Sequence, residues 1–403
     1  MTAKRLAPTI AFALAAIGLL TVGPAGAFQD DGTVRIGSLE AQTGVPAPYG
    51  IQWLNGSKIA IDEINAAGGV MVDGKRVKLA LTPAPNGYDP GADSEQTLAL
   101  MRKLIADDKV LAIKGTSRSQ NTEVAFNYLK ELEKEGTPIV LLSSASASPG
   151  LGGITKWGFR NSFFEGKLIG RELDILKSNL GYKTAALFVV QDNQFTVAMA
   201  QGVIAPALKR HGLDLVATVQ GLEHDTDLSR QVAELRRANP DVVFVSSSVL
   251  PGVNLMKEAA RRGFRPKIWV GTVGSIAPEV PELGGRAIER MIVGSSFSPA
   301  NPAIHALQDT YHKRYGTEIS LFGVNGYEAI YLFKDAIEHS GIANRPETLQ
   351  QDRAKFRDAL ASAKITSVTG ETVSFDANGD AVKNGFILTV KNGHYVDWDG
   401  KAF

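Results

Sequence analysis

The chain has 403 residues, of which 44% are hydrophobic and 21% are charged, so it is long enough for more than one packed domain and differs in composition from a disordered chain. Its 43 lysines and arginines nearly balance its 42 aspartates and glutamates, which leaves no overall field that favours nucleic acid or an anionic membrane. The sequence contains no cysteine. Disulfides, thiolate metal sites and cysteine nucleophiles are therefore excluded.

The first 27 residues have the pattern of a secretory signal peptide. Lys4 and Arg5 precede an apolar stretch over residues 6–22, and a segment of small residues ends at Ala27. The uninterrupted apolar part is shorter than the roughly 20 residues that a membrane-spanning helix needs. We expect cleavage after Ala27 and export of the rest of the chain, without direct insertion into the membrane. An uncleaved anchor helix is the alternative.

The chain that follows alternates between strand and helix patterns. Its first half contains these predicted elements: strand 34–39, helix 53–66, hairpin 70–81, helix 94–107, strand 110–113, helix 122–135 and strand 139–142. After a Ser- and Gly-rich stretch the predicted elements are helix 167–180, strand 184–190, helix 197–211, strand 215–219, helix 228–238, strand 242–245, helix 253–262, strands 267–270 and 291–295, and helices 302–315 and 323–340. Near-continuous apolar strands are typical of parallel sheets that are covered on both faces. The alternation therefore predicts an α/β protein with two doubly wound lobes.

The last segment, residues 366–403, has a different pattern. Short strand patterns at 371–375, 385–390 and 394–398 surround a turn at residues 378–379, which is typical of antiparallel strands. We expect this tail either to pack on the lobes or to cross between them.

Motifs of nucleotide-binding and hydrolytic enzymes are absent or incomplete. Residues 69–75 match a phosphate-binding loop until Arg76, which stands where a hydroxyl has to reach Mg²⁺, and a hairpin at residues 73–74 is the simpler interpretation. No G-x-S-x-G elbow occurs, and residues 224–227 offer too few oxygen ligands for a hard cation. We expect no enzymatic activity, no cofactor and no metal site. A Ser-His-Asp triad assembled in space, in an exported hydrolase, stays open as an alternative.

Polar and mostly uncharged segments follow the predicted strands in both halves of the chain. In open α/β sheets, ligands bind beyond the carboxyl ends of the strands. The segments are residues 116–119, 143–146, 191–193, 246–248 and 272–275. The first leads directly into a helix, whose N-terminus favours an anion. Serines that only cap helices are the alternative for any one segment, but the grouping in both halves predicts one polar cleft.

A resemblance to a known family rests on motifs that are spread over the chain. Residues 43–70 carry the opening pattern Thr-Gly-(x)4-Tyr-Gly-(x)5-Gly, which continues into Asp-Glu-Ile-Asn-Ala-Ala-Gly-Gly-Val. Further segments agree in the same order, namely 136–140, 159–161, 227, 239–245, 315–316 and 375–380. The sequence resembles the branched-chain amino acid-binding proteins, which are type I periplasmic solute receptors of ABC importers.

The resemblance implies a fold of two Rossmann-like lobes, joined by a three-crossover hinge that closes around a ligand. It implies crossovers near Ser148, near Ser295 and around residue 380. After a signal peptide of residues 1–27, lobe 1 then comprises 28–148 plus 297–380, and lobe 2 comprises 149–296 plus 381–403.

The family's carboxylate-binding residues transfer only in part to the first lobe. In the family a Ser holds the ligand carboxylate together with the loop after the next strand, and Ser119 matches that Ser. In the next loop Ala145 matches the family's Ala. Ala147 stands where the family usually has a Thr, with Ser146 beside it.

Two positions of the second lobe depart from the family pattern. Phe195 replaces a Tyr, and the Glu that pairs with the ligand ammonium falls at Val273. A buried ammonium without a counter-charge costs several kcal/mol. We therefore expect that a standard α-amino acid is not the ligand unless Asp192 or Glu165 supplies the charge. Arg118 instead favours an acid, although a solvent-facing Arg118 stays open.

The resemblance implies a periplasmic solute-binding protein of an ABC importer. It would capture an amino acid-like molecule or a small organic or aromatic carboxylate and deliver it to a permease. We expect a monomer whose partners are this ligand and, transiently, the permease subunits, with no nucleic acid. A ligand sensor of the same fold that controls a regulator or receptor is the alternative. The candidate ligand-binding residues are Tyr49, Trp53, Ser117, Arg118, Ser119, Ala145, Ser146, Ala147, Asp192, Phe195, Ser248 and Val273.

Overall fold

The structure is a computed structural model, and it describes residues 32–162 and 165–403. The predicted signal peptide and its cleavage site lie outside these residues. The strands are β1 (Val34–Leu39), β2 (Val70–Val72), β3 (Lys75–Val77), β4 (Leu79–Thr82), β5 (Ala112–Gly115), β6 (Val140–Ser143), β7 (Gly158–Arg160), β8 (Thr184–Val190), β9 (Asp214–Gly221), β10 (Val242–Ser246), β11 (Ile268–Gly271), β12 (Met291–Ser295), β13 (Lys364–Thr366), β14 (Thr372–Phe375), β15 (Ala381–Val382), β16 (Phe386–Lys391) and β17 (His394–Asp397).

The α-helices are α1 (Ala47–Ala66), α2 (Ser94–Ala106), α3 (Ser119–Lys134), α4 (Gly166–Asp174), α5 (Gln194–Ala198), α6 (Ala205–His211), α7 (Ser229–Ala238), α8 (Val249–Arg261), α9 (Glu279–Gly284), α10 (His305–Tyr315), α11 (Leu321–Ser340) and α12 (Leu349–Ala361). Two π-helical segments, Ile175–Asn179 and Met199–Ile204, continue α4 and α5. No helix in the described ranges is long and apolar enough to cross a membrane.

Local sequence chemistry accounts for where these elements form. All five residues of β10 are buried, as its unbroken Val and Phe run predicts for a strand covered on both faces. Helix α2 begins after Asp93, whose carboxylate accepts hydrogen bonds from the backbone N–H groups of Glu95 and Gln96 at 2.7 and 3.0 Å. Such a cap satisfies N–H groups that have no partner within the helix.

The first lobe is built on a five-stranded parallel sheet with the order β4-β1-β5-β6-β7. Helices α1, α11 and α12 and the strand faces enclose an apolar core that includes Ile36, Phe126 and Phe333. The strand order reverses between β1 and β5. The carboxyl ends of these two strands therefore frame a crevice.

The second lobe is built on a seven-stranded sheet with the order β17-β16-β12-β11-β10-β8-β9. Its strands β9, β8, β10, β11 and β12 are parallel, and β16 and β17 add an antiparallel edge. The strand order reverses between β8 and β10, which frames the second crevice. The α/β class and the two doubly wound lobes are therefore confirmed.

Within the described residues, three crossovers join the two lobes. Strand β7 pairs with β6 in the first lobe's sheet, so the first crossover follows Arg160. The predicted position near Ser148, with lobe 2 starting at residue 149, is wrong because β7 has only three residues and gives no clear strand pattern. The other crossovers follow β12 and lie between β15 and β16, and the tail indeed crosses back to the second lobe.

Buried polar contacts tie these crossovers together. Arg160, at the end of β7, forms a bidentate ion pair with Asp380, with both N–O distances at 2.7 Å, and it donates to the Ser148 carbonyl at 2.7 Å. Lys383, in the third crossover, pairs with the buried Glu328 of α11. The first and third crossovers are thereby fixed to the first lobe, which makes them a defined hinge.

We predict that Asp380→Asn lowers the free energy of unfolding by about 2 kcal/mol, because it leaves the buried guanidinium of Arg160 without its charged, bidentate partner. Urea unfolding followed by circular dichroism measures this loss. Glu234→Gln is the matched control, since its ion pair with Arg230 is exposed and exposed pairs contribute little. Equal, small effects of both substitutions would contradict the role of Asp380.

Candidate functional site

A cleft between the two lobes collects residues from both sets of strand ends. Its empty volume is about 480 Å³, part of it open to solvent. The lining residues are Val45, Pro46, Tyr49, Ser117, Arg118, Ser119, Ala145, Asn193, Phe195, Ser247, Ser248, Val273, Gly274 and Phe322. The cleft therefore lies where the two crevices face each other.

The serines at the end of β5 keep hydroxyl protons available. Ser117 Oγ accepts the backbone N–H of Ala41 at 2.9 Å, and Ser119 Oγ accepts that of Ser148 at 3.3 Å. Neither hydroxyl donates a hydrogen bond to another described residue. Both serines are buried at the cleft, so each can donate its proton to a ligand oxygen.

Arg118 lines the cleft and does not point to bulk solvent. Its side chain is 14% exposed, and its Nη2 is buried without a hydrogen-bond partner in the described part of the chain. A buried charged donor without an acceptor is costly. An anionic group bound in the cleft would remove that cost.

Glu223 is a functional candidate that the sequence predictions missed. Its carboxylate is 3.7 Å from Arg118 Nη2 across the cleft, and it accepts hydrogen bonds from Asn193 Nδ2 and Ser248 Oγ, both at 2.5 Å. It follows β9, which ends at Gly221, two residues beyond the predicted strand end at residue 219. Applying the same strand-end rule to β9 would have found it.

Aromatic rings form the walls of the cleft. Tyr49, on α1, donates its hydroxyl proton to the Gly274 carbonyl of the other lobe at 2.9 Å. Burial and the nearby charge of Glu223 raise the pKa of the Tyr49 phenol above its ordinary value, so the phenol stays a neutral donor. Phe322, whose ring centroid is 4.9 Å from that of Tyr49, was missed because it begins a helix far along the chain. Phe195 faces them from the second lobe.

Four predicted site residues are not part of the cleft lining. Trp53 is fully buried with the Lys114 ammonium 4.3 Å from its ring centroid, because it lies one helical turn deeper than Tyr49. Ser146 is buried beneath the cleft and bonds to Thr122, and Ala147 packs in the core. Asp192 is exposed, and its carboxylate accepts the backbone N–H of Glu223.

The expectation that a standard α-amino acid is not the ligand depends on Asp192 and Glu165, the two acids that could supply a counter-charge. Asp192 does not line the cleft, and Glu165 lies behind it, where it accepts the backbone N–H of Val273 at 2.5 Å. The side chain of Val273 does line the cleft. The carboxylate of Glu223 also lies next to the lining, where it accepts hydrogen bonds from the lining residues Asn193 and Ser248.

Two further features bear on chemistry at the site. No histidine is among the residues that line the cleft, so its serines have no imidazole there to activate them. Within the described ranges no group of three or more His, Asp or Glu side chains could hold a metal ion.

The comparison with protein families decides the identity of the fold. The family model for periplasmic binding proteins matches residues 33–394, which is most of the chain. The chain belongs to the periplasmic binding protein family. This family comprises substrate-binding proteins, which in general are not enzymes and act in the periplasm, and the type I fold predicted from the resemblance is confirmed.

Individual relatives of this periplasmic binding protein agree with that assignment. It is 26% identical over 379 residues to Leu/Ile/Val-binding protein homolog 7 of Brucella abortus strain 2308, with 88% of each chain covered. The leucine binding protein of Thermotoga maritima superposes with a TM-score of 0.76 at 24% identity, covering 91% of this chain and 97% of the other. A solute binding protein of Rhodopseudomonas palustris BisB5 in complex with 3,4-dihydroxybenzoic acid superposes with a TM-score of 0.76 at 22% identity, covering 91% and 96%.

A buried acid of helix α4, Glu172, makes the stability of the fold depend on pH. Burial raises the pKa of Glu172 to about 8, and its Oε2 has no hydrogen-bond partner among the described residues. Glu165, seven residues earlier, has its pKa raised in the same direction by burial and by Glu172. Between the ordinary pKa of a glutamate and about pH 8, the buried carboxyl group of Glu172 therefore stays protonated in the native state, whereas it is ionised in the unfolded chain.

We predict that the free energy of unfolding of this periplasmic binding protein falls as the pH rises from 5 to 8. The free energy of unfolding of the Glu172→Gln variant should fall less steeply. Glu172 contributes up to about 1.4 kcal/mol per pH unit to this slope, and glutamine cannot ionise. Urea unfolding of both proteins at pH 5, 6.5 and 8 gives the two slopes. Parallel slopes would show that Glu172 titrates alike in both states.

Proposed function

We propose that this protein is the solute-binding protein of an ABC importer and that it captures a small carboxylate in the interlobe cleft. The observation that carries the proposal is Nη2 of Arg118, which is buried at the cleft without a hydrogen-bond acceptor among the described residues, beside the free hydroxyl protons of Ser117 and Ser119. These groups form a set of donors for one carboxylate. The aromatic walls leave room for an aliphatic or aromatic body.

The names of the relatives support this ligand class. They include Leu/Ile/Val-binding proteins and structures solved with isoleucine, benzoate and 3,4-dihydroxybenzoic acid, all of which carry a carboxylate. We also propose that the predicted ligand-binding residues that line the cleft contact the solute. The proposal further includes transient docking on permease subunits, a monomeric state and removal of the signal peptide after Ala27.

Closure around the solute follows from the way the lobes meet. Three pairs of residues make contact between the first and the second lobe. They are Tyr49 with Gly274, Arg118 with Glu223, and Glu123 with Gln194. A ligand that contacts both sides stabilises this arrangement, and its affinity reports the free energy of closing. Capture by closure requires no bond to be made or broken.

Native mass spectrometry tests the proposal. Protein purified without denaturation should carry a small molecule, and isothermal titration calorimetry of protein stripped by unfolding and refolding should show one bound carboxylate per chain. A stripped protein that binds none of the carboxylates tested, and releases none when purified, would contradict the proposed function.

We predict that Ser119→Ala weakens carboxylate binding by roughly 1–3 kcal/mol, because it removes a buried hydroxyl donor. Calorimetry with the stripped protein measures the change. Ser362→Ala is the control, since Ser362 is an exposed serine at the end of α12. Unchanged affinity in Ser119→Ala would remove this residue from the site.

A further inference from the structure

A lysine and a glutamate form a fully buried ion pair at the strand ends of the first lobe. The ammonium of Lys114 pairs with the carboxylate of Glu40, and neither side chain has any exposed surface. The same carboxylate accepts a hydrogen bond from Ser38 Oγ. None of these three residues is among those that line the cleft. Binding of a carboxylate by Arg118 and the serines therefore leaves the two buried charges without a role.

The pair joins three elements of the first lobe at the crevice where its strand order reverses. Lys114 of β5 lies opposite Ser38 of β1 in the parallel register, and Glu40 directly follows β1. Helix α1 covers the pair, since the Lys114 ammonium is 4.3 Å from the ring centroid of Trp53, within the range of a cation–π contact. Strands β1 and β5 and helix α1 therefore meet at the two charges.

The same three elements also form an adjacent set of contacts that reaches the cleft. The backbone N–H of Ala41, next to Glu40, donates to Ser117 Oγ at 2.9 Å, which leaves the hydroxyl proton for a ligand oxygen. Gly50 of α1 packs against this hydrogen bond, because a Cβ atom there would collide with the Ala41 carbonyl and lie 2.8 Å from Ser117 Oγ. Its neighbour Tyr49 lines the cleft together with Ser117. The orientation of the Ser117 hydroxyl therefore depends on the spacing of β1, β5 and α1.

Stability alone does not account for the two buried charges. Burial disfavours the ammonium and holds the pKa of the Lys114 amine below its ordinary value. Attraction between buried partners offsets the loss of hydration only in good geometry, and an apolar pair of similar volume is often equally stable or more stable. An ion pair differs from an apolar pair in that it fixes the distance and direction between its two groups. That property matters for the loops that follow β1 and β5.

We propose that Lys114 and Glu40 are positioning residues of the binding site. Their ion pair sets the separation of the loops after β1 and β5, and it thereby orients the hydroxyl of Ser117 towards the bound solute. Neither residue touches the solute itself. The inference rests on the proposed function, since it requires Ser117 to donate to a bound carboxylate, and it adds two residues that the cleft lining does not contain.

Calorimetry of a variant without the ion pair tests this inference. Glu40→Met/Lys114→Met removes both charges together and keeps side chains of similar length, so that no unpaired buried charge is left. The probes are isoleucine, benzoate and 3,4-dihydroxybenzoate, and each one that binds to the stripped wild-type protein is used. The double variant should fold, as thermal unfolding checks, and should bind these probes about tenfold more weakly because the Ser117 hydrogen bond is lost.

Ser117→Ala, measured in both backgrounds, separates positioning from packing. In the wild-type protein this substitution should weaken binding about tenfold. In the double methionine variant it should weaken binding less than about twofold, because residues that act together are not additive. The matched control is Glu131→Met/Lys134→Met, which makes the same changes in an exposed ion pair of α3 and should leave the affinity and the effect of Ser117→Ala unchanged.

The outcomes separate the inference from the proposed function. If the double methionine variant folds and binds the probes like wild type, or if Ser117→Ala has the same effect in both backgrounds, the positioning role is wrong and the carboxylate receptor stands. If the stripped wild-type protein binds none of the three probes, the proposed function fails together with the inference.

A second variant covers the case in which the double methionine variant does not fold. Glu40→Gln removes one charge at nearly constant size, and the same two criteria apply to it. If neither variant folds, the ion pair maintains the fold of the lobe and its assignment to the binding site is wrong.

Discussion

The cleft is organised around one guanidinium, that of Arg118, which is withdrawn from solvent and faces the opposite lobe. Parallel strands present all their carboxyl ends at one edge, so each lobe offers one set of loops for binding. The loop after β5 contributes Arg118 between two serines, and the loop after β9 contributes Glu223. A charge in this place acquires a partner only when the lobes meet, which links recognition to closure.

The hinge allows the lobes to close and keeps the loops that line the cleft in fixed positions. Asn325 of α11 holds three pieces together: its amide donates to the Ser144 carbonyl at 3.1 Å, its backbone carbonyl accepts from Asn161 at 2.8 Å, and its side-chain oxygen accepts from Lys383 at 2.7 Å. Two of these partners lie in crossovers, and Ser144 precedes Ala145 of the cleft lining. The polar residues of the hinge therefore position the floor of the binding site.

Much of the fold could be predicted from the sequence because its strands are buried on both faces. Strands β8 and β12 have the predicted bounds, since each is an unbroken run of mostly apolar residues. Helix α12 was missed because its sequence is mostly polar and only a few residues, such as Phe356 and Leu360, are buried. Helix α1 begins earlier than predicted, at Ala47, in a segment where Gly50 approaches the Ala41 carbonyl too closely to carry a side chain.

The site could be predicted only where polar or charged residues directly follow a strand. That rule led to Ser117, Arg118, Ser119 and Ser248, whereas Glu223 lies four residues beyond the predicted strand end at residue 219 and follows a segment that is not uniformly polar. Trp53 was predicted as a ligand-binding residue together with Tyr49. The aromatic character of a residue does not give its depth, and α1 runs from the cleft into the core, where Trp53 is fully buried. Contacts across hundreds of residues, such as that of Phe322, leave no local signal.

A solute that contacts both lobes should bring them together. Small-angle X-ray scattering of the stripped protein, with and without a saturating amount of the carboxylate that binds most tightly, tests it most directly. The radius of gyration should fall when that carboxylate is added. A carboxylate that binds with full occupancy in the calorimeter and leaves the scattering curve unchanged would contradict it.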